Sequence, residues 1–174
     1  MAFVTEDGTG IATATSYVTL AEARAYWDDH GFDHSKYPPD SQLERALIRA
    51  TQHIETFFAR LFRGCRLYPD TQRLSWPRTD IYVYGKLITS EVPEGVKSAT
   101  CEYAQRILVS GDLFPDPGGF DETGSAVRRK AVRVGPIETE TSYEQGTEFD
   151  RRQYPQADYL LTPFIFQSDG VVRN

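Results

Sequence analysis

The sequence predicts a mainly α-helical fold: a small helical bundle with a minor β-hairpin component and extended N- and C-terminal arms. Three segments place apolar residues at helical spacing next to helix caps, and two later segments have strand-like composition around turn residues. The chain has 174 residues, 40% hydrophobic and 25% charged, which suits one globular domain with a core plus arms. Residues 1–18 show neither the helical spacing of apolar residues nor the alternation of a strand, and they are expected to form the N-terminal arm.

A first helix is predicted over about residues 20–30. Thr19 and Glu22 have the spacing of a capping box, and the apolar stripe that follows stops at Gly31. Because this segment has both a start signal and a stop signal, its bounds are well specified by local sequence.

The second predicted helix has the strongest periodic signal. After the break at Pro38 and Pro39, Ser41 with Glu44 offers another capping box, and Gly64 is the expected end. The apolar residues that share one helical face are Leu43, Ala46, Leu47, Ala50, Ile54, Phe57, Phe58, Leu61 and Phe62. This face is expected to form the core.

The segment between residues 64 and 91 consists of short apolar pieces broken by proline and glycine. Residues 82–84 have high strand propensity, which predicts a loop and a small hairpin. Pro93 and Gly111 then bracket a third helix, which is expected to pack against the second.

The last third of the chain changes in composition. Residues 112–125 are rich in proline and glycine and are expected to form a flexible loop. Residues 126–153 predict a β-hairpin with a basic first strand and an acidic second strand. Residues 154–174 carry apolar side chains close to the chain end, which predicts an arm that docks on a partner.

No catalytic residue, cofactor or metal site is expected. Phosphate-binding glycine loops and nucleophile motifs do not occur in the sequence. His30 and His34 have the spacing of two metal ligands, but Gly31 ends the helix between them, so a metal-dependent hydrolase is a weak alternative. Cys65 and Cys101 are expected to be reduced thiols, and the N-terminus resembles no signal peptide, which suits a cytosolic protein.

Charge gives a mixed indication about nucleic acid. A net charge of −6 and a pI near 5.1 disfavour a broad grip on phosphates. The basic run at 128–133 and the abundance of tyrosine leave a nucleic-acid contact open, although a hairpin face or a protein interface explains the same residues equally well.

Five stretches of the sequence together resemble a known family. They cover residues 15–26, 46–51, 72–78, 92–99 and 154–163, and read TSYVTLAEARAY, ALIRAT, QRLSWPR, VPEGVKSA and YPQADYLLTP. The chain resembles the head–tail connector adaptor proteins of tailed bacteriophages. Some members of that family are labelled DnaT-like single-stranded-DNA-binding proteins.

The resemblance implies a structural virion protein of the phage neck, made in the host bacterial cytoplasm and without enzymatic activity. Such an adaptor forms a homo-oligomeric ring of about twelve copies beneath the portal protein. It links the DNA-filled capsid to a stopper or tail-terminator protein. Packaged DNA passes through the ring without sequence-specific binding, and no membrane is involved. Residues 19–111 would be the helical adaptor domain.

The resemblance also implies site residues. The portal-docking arm would consist of Leu160, Leu161, Pro163, Phe164, Ile165, Phe166, Val171, Val172 and Arg173. Inter-subunit candidates are Trp76, Arg78, Tyr82 and Tyr84, with Arg78 expected to pair with an acidic neighbouring subunit. Trp76 is also well explained as a buried anchor of its loop.

The alternative function is a DnaT-like single-stranded-DNA-binding module, which would bind with a steep salt dependence.

Overall fold

The computed structural model describes residues 2–88, 91–111, 113, 127–133, 138–143 and 154–166. The chain divides into two compact units. The first, called the body, comprises Met1–Leu113 and Tyr154–Asn174; the second comprises Phe114–Gln153. The fold of the described residues is mainly α-helical with small antiparallel hairpins, as the sequence predicted.

The described residues of the body form four α-helices: α1 (Leu20–Asp29), α2 (Asp40–Phe57), α3 (Glu94–Ser110) and α4 (Pro155–Leu161). Helix α1 begins with the predicted capping box, in which Thr19 and Glu22 bond each other's backbone N–H groups. Helix α3 ends at Gly111, whose φ of 83° is the left-handed conformation of a C-terminal cap. Helices α2 and α3 pack together, which confirms the prediction.

Two predicted features of α2 are wrong. The helix begins at Asp40 behind Pro39, so Ser41 lies inside it and caps nothing. It ends at Phe57, although the apolar period continues to Phe62. The early end has a tertiary cause, because the residues that would form the next turn pair with the C-terminal part of the chain.

The N-terminal segment is part of the body's core, which differs from the predicted arm. Tyr17 and Val18 are buried, and Thr5 forms a parallel bridge with Ser16. The buried Glu6 carboxylate accepts hydrogen bonds from the N–H groups of Gly8, Gly10 and Ile11, the segment that turns the chain back. These contacts are long-range or irregular, so no helix or strand period marks them in the sequence.

Residues 154–166, called the C-terminal segment, also pack against the rest of the body. Helix α4 packs on α3, the 3₁₀ turn Thr162–Phe164 contacts the segment Ile81–Val83, and Ala157, Leu161 and Phe164 are buried. This part of the predicted docking arm is therefore a structural part of the body.

In the part of the chain that the structure describes, the strands form three separate two-stranded antiparallel sheets. In the body, β1 (Cys65–Arg66) pairs with β2 (Arg78–Thr79), and β3 (Ile81–Val83) pairs with β4 (Lys86–Ile88). In the second unit, β5 (Val127–Arg133) pairs with β6 (Glu138–Tyr143).

The predicted hairpin of the second unit agrees with the backbone pairing. The register sets Arg133 opposite Glu138 and Ala131 opposite Glu140. Basic and acidic positions therefore share this ladder, as the sequence suggested.

The core of the body is built around large aromatic residues. Trp27, Trp76, Tyr17 and Tyr103 are fully buried among the aliphatic side chains of the helices. Within the described residues, no helix has the length and apolar character needed to cross a membrane.

Candidate functional site

The predicted docking residues divide into three groups. Leu161 and Phe164 are buried, and Leu160, Pro163 and Ile165 are half-buried within the body. Phe166 is exposed at the end of the C-terminal segment. Val171, Val172 and Arg173 lie outside the described residues. Most of the described residues of this predicted site therefore serve the fold of the subunit itself.

Arg78 is an interior residue, which contradicts its predicted role at a subunit surface. Only 7% of Arg78 is exposed. Its guanidinium donates hydrogen bonds to the carbonyl oxygens of Arg63 and Gly64 at 2.8 and 2.7 Å, and to those of Phe62 and Ser75 at 3.3 Å. Burial lowers the pKa of Arg78, and these four carbonyls compensate for the lost hydration of the charge.

Trp76 is the buried anchor that the simpler interpretation predicted. Its ring is fully buried and makes edge-to-face contacts with Phe62 and Phe164, with ring centroids 5.6 and 5.7 Å apart. Trp76 therefore joins the chain after α2 to the C-terminal segment. It is not accessible to a neighbouring subunit.

Tyr82 and Tyr84 lie on the surface. Tyr82 is 62% exposed in β3, and Tyr84, in the turn between β3 and β4, is 94% exposed. Since neighbouring Ile81 is buried, alternation along β3 directs Tyr82 outward. Of the four inter-subunit candidates, these two have rings available to a ligand or partner.

The turn that carries Tyr84 has an uncommon backbone conformation. Tyr84 has a φ of 50° and Gly85 a φ of 78°. Two consecutive positive φ values are typical of a type I′ hairpin turn, where asparagine, aspartate or glycine is usual at the first position. An aromatic residue there costs local stability, and such a cost is typical of positions with a function.

Residues 60–88, called the basic segment, contain a local excess of positive charge. The ionisable Lys, Arg, Asp and Glu side chains in it are Arg60, Arg63, Arg66, Arg73, Arg78, Lys86, Asp70 and Asp80. The basic segment thus contains six cationic and two anionic side chains, in a chain whose net charge is −6. Arg60, Arg66, Arg73 and Lys86 are exposed and Arg63 is half-exposed.

Exposed tyrosines accompany these cations. Tyr68 is the third ring on the surface of the basic segment, with Tyr82 and Tyr84. Val83 pairs with Lys86 and Tyr82 with Leu87 in the β3–β4 ladder, so a cation and exposed rings share one small hairpin. Cations together with accessible rings can neutralise phosphates and stack on unpaired bases.

The cations of the basic segment are not contiguous in the sequence, unlike the basic run at residues 128–133, and most of the segment was therefore not predicted as a site. The side chains of that run lie outside the described residues. The spacing of Arg60, Arg63 and Arg66 at every third position, in an acidic chain, is the signal that could have identified the basic segment.

The two histidines with ligand-like spacing have other contacts. His30 Nδ1 lies 2.7 Å from the Tyr26 carbonyl oxygen, and His34 Nε2 lies 3.2 Å from a carboxylate oxygen of Asp28. In the part of the chain that the structure describes, no three His, Cys, Asp or Glu residues come together as metal ligands.

A family model described as "Putative DnaT-like ssDNA binding protein" matches residues 1–174 of the chain. No curated protein and no solved structure matches it. The family description mentions single-stranded DNA and no head–tail connector, so it favours the alternative that the sequence analysis left open.

Proposed function

The chain belongs to the DnaT-like ssDNA-binding family, and from this premise we propose that it binds single-stranded DNA through its basic segment. The observation that carries the proposal is the solvent-exposed ring of Tyr84 on a hairpin that also contains Lys86. The function is binding alone, without catalysis or a cofactor.

Electrostatics supports a localised contact. The acidic remainder of the chain repels phosphates, whereas the exposed arginines of the basic segment attract them. A nucleic-acid strand is therefore favoured at this segment and disfavoured elsewhere. Each phosphate neutralised contributes about 0.7 to the slope of log affinity against log salt for a single strand.

Stacking favours single strands over duplex. A base presents its face only when it is unpaired, and stacking on an aromatic side chain contributes about 1–3 kcal/mol per base. Tyr82 and Tyr84 are exposed enough to provide such faces. The expected ligand is consequently a short unpaired stretch with little sequence preference.

The test is fluorescence anisotropy with a labelled oligothymidine and the Tyr84→Asn variant. Asparagine suits the positive φ of the turn, so the hairpin is retained while the ring is lost. We expect binding to weaken about tenfold, equivalent to roughly 1.4 kcal/mol.

Tyr159→Asn is the matched control, because Tyr159 is 75% exposed but lies outside the basic segment. It should bind like the unchanged protein. Equal binding by both variants, or an affinity that does not depend on salt, would sink the proposal.

A second candidate is the head–tail connector adaptor that the motifs of the sequence resemble. The observation that favours it is the exposure of apolar side chains on the same hairpin, namely Tyr82, Tyr84 and Leu87. In a neck ring these side chains would contact the adjacent subunit, and the acidic net charge would let DNA pass without sticking.

Electron microscopy of the protein mixed with the portal of its own phage separates the two candidates. A closed ring on the portal, lost in the Tyr84→Asn variant, is the result expected of an adaptor. Salt-sensitive DNA binding without any portal complex is the result expected of a DNA-binding module.

A further inference from the structure

We propose that the groove which holds the C-terminal segment also accepts this segment from a second copy of the chain. Copies would then be linked by exchange of residues 154–166. The inference is independent of DNA binding and rests on how the segment is held.

The end of the segment is bound as an added strand. Arg63 N donates to Phe164 O at 2.9 Å and Phe166 N donates to Leu61 O at 2.8 Å, on either side of an antiparallel bridge between Phe62 and Ile165. Pairing of an extended peptide with a backbone edge is also the way in which many proteins bind separate peptides.

The groove beneath the segment is shaped for apolar anchors. Phe164 packs edge-to-face on Trp76, and Leu161 is fully buried. Gly95 of α3 leaves the necessary space, because a Cβ atom there would lie 2.6 Å from Phe164 Cε2 and 2.8 Å from Leu160 O. The groove therefore accepts this segment only while position 95 has no side chain.

Polar contacts fix the start of the segment. Tyr103 on α3 donates its hydroxyl hydrogen to Asp158, which also accepts from Tyr154 N. Gln156 Nε2 donates to Glu102 Oε1 at 3.1 Å. The partners that lie outside the segment, Tyr103 and Glu102, both belong to α3. Nothing in the geometry requires groove and segment to come from one chain.

The connection permits exchange. Residues 114–153, a compact unit of their own, separate the groove-forming part of the body from the segment. The segment has a finite effective concentration at its own groove, so a second copy that is held close by can compete for the groove. Exchange preserves every contact, and head-to-tail exchange produces chains or closed rings.

The test uses two chains with one exposed cysteine each, Leu61→Cys and Phe166→Cys, in a Cys65→Ser background that leaves only the buried native thiol of Cys101. Leu61 and Phe166 are both exposed, and Phe166 N donates to Leu61 O, so cysteines at these two positions are placed to form a disulfide. One chain carries a size tag, and the mixture is concentrated and then oxidised with a glutathione buffer.

We expect the mixed disulfide dimer to exceed each homodimer about tenfold, because only a shared groove brings positions 61 and 166 together. A mixed dimer at the random proportion overturns the proposal. The chain that carries both cysteines should close within itself when dilute; its failure to close also overturns the proposal, because the pairing would then be absent.

Gly95→Val in the Leu61→Cys chain provides the specificity control. The valine side chain would occupy the space of Phe164, so the mixed dimer should disappear. Circular dichroism verifies that the helices persist in this variant, and Leu161→Ala in the other chain weakens the same contact from the opposite side. A mixed dimer that survives both substitutions contradicts exchange through this groove.

Discussion

At the scale of single residues, Arg78 joins parts of the body that are distant in sequence. Its guanidinium bonds the backbone after α2 and the loop around Ser75 at the same time. The sequence identified the residue but assigned it to a surface, since an arginine beside a tryptophan and a proline reads equally well as a contact or as a buried clamp.

We expect Arg78→Ala to lower the free energy of unfolding by about 2–4 kcal/mol, because four buried carbonyl oxygens lose a charged donor. Urea denaturation at pH 7 measures the change. Arg73→Ala, at an exposed site, should shift it by less than about 0.5 kcal/mol. Equal shifts in the two variants would show that the clamp contributes nothing.

His53 makes the stability of the body depend on pH. It lies among the rings of Phe57, Tyr103 and Tyr154, and burial lowers the pKa of His53 to about 4 despite the opposing effect of Asp158. Between pH values of about 6.5 and 4, the unfolded chain binds a proton that the folded chain does not. Stability therefore falls as the pH drops through this range.

From the depressed pKa of His53 we expect the free energy of unfolding to fall by about 2 kcal/mol between pH 7 and pH 5. His53→Phe should remove this decrease, since phenylalanine does not titrate. Urea titrations at the two pH values measure both proteins. The same pH dependence in the variant would assign the decrease to other groups.

At the scale of elements, the first helix depends on a local start signal. Thr19→Ala should lower the free energy of unfolding by about 1 kcal/mol, because the N–H of Glu22 loses its acceptor. Thermal unfolding followed by circular dichroism tests this prediction. Thr19→Ser keeps the hydroxyl and should retain most of the stability; an equal loss with serine would contradict the capping explanation.

The β3–β4 hairpin should gain stability when the ring of Tyr84, in its turn, is removed. Tyr84→Asn relieves the cost of a tyrosine at φ of 50°, so we expect the free energy of unfolding to rise by about 0.5–1 kcal/mol. Urea denaturation compares the variant with Tyr82→Asn, at an ordinary strand position, where no gain is expected. A loss of stability would mean that Tyr84 makes contacts that support the fold.

At the scale of the whole molecule, we expect the body to fold without the second unit. The body has a core of its own, and Tyr154 Oη donates to Leu113 O at 3.4 Å, so the body's two chain pieces lie close together. Replacing residues 114–153 by a short Gly/Ser linker should leave the cooperative unfolding of the body unchanged within about 1 kcal/mol. Loss of the transition would mean that the second unit is needed for folding.

By itself the sequence determined the features that depend on neighbours along the chain. The cap of α1, the glycine that ends α3, the face of α2 and the turn-centred hairpins all follow from short-range periodicity and turn chemistry. These signals are complete within a few residues, so no knowledge of the fold was needed to read them.

Only the tertiary structure decided where the chain ends go and which side chains remain on the surface. The N- and C-terminal segments lack a regular period, yet Tyr17 and Leu161 are fully buried because they fill space between the helices. Pairing with the C-terminal segment also ends α2 before its apolar stripe ends. Such choices depend on contacts between residues far apart in the chain, and local spacing does not encode them.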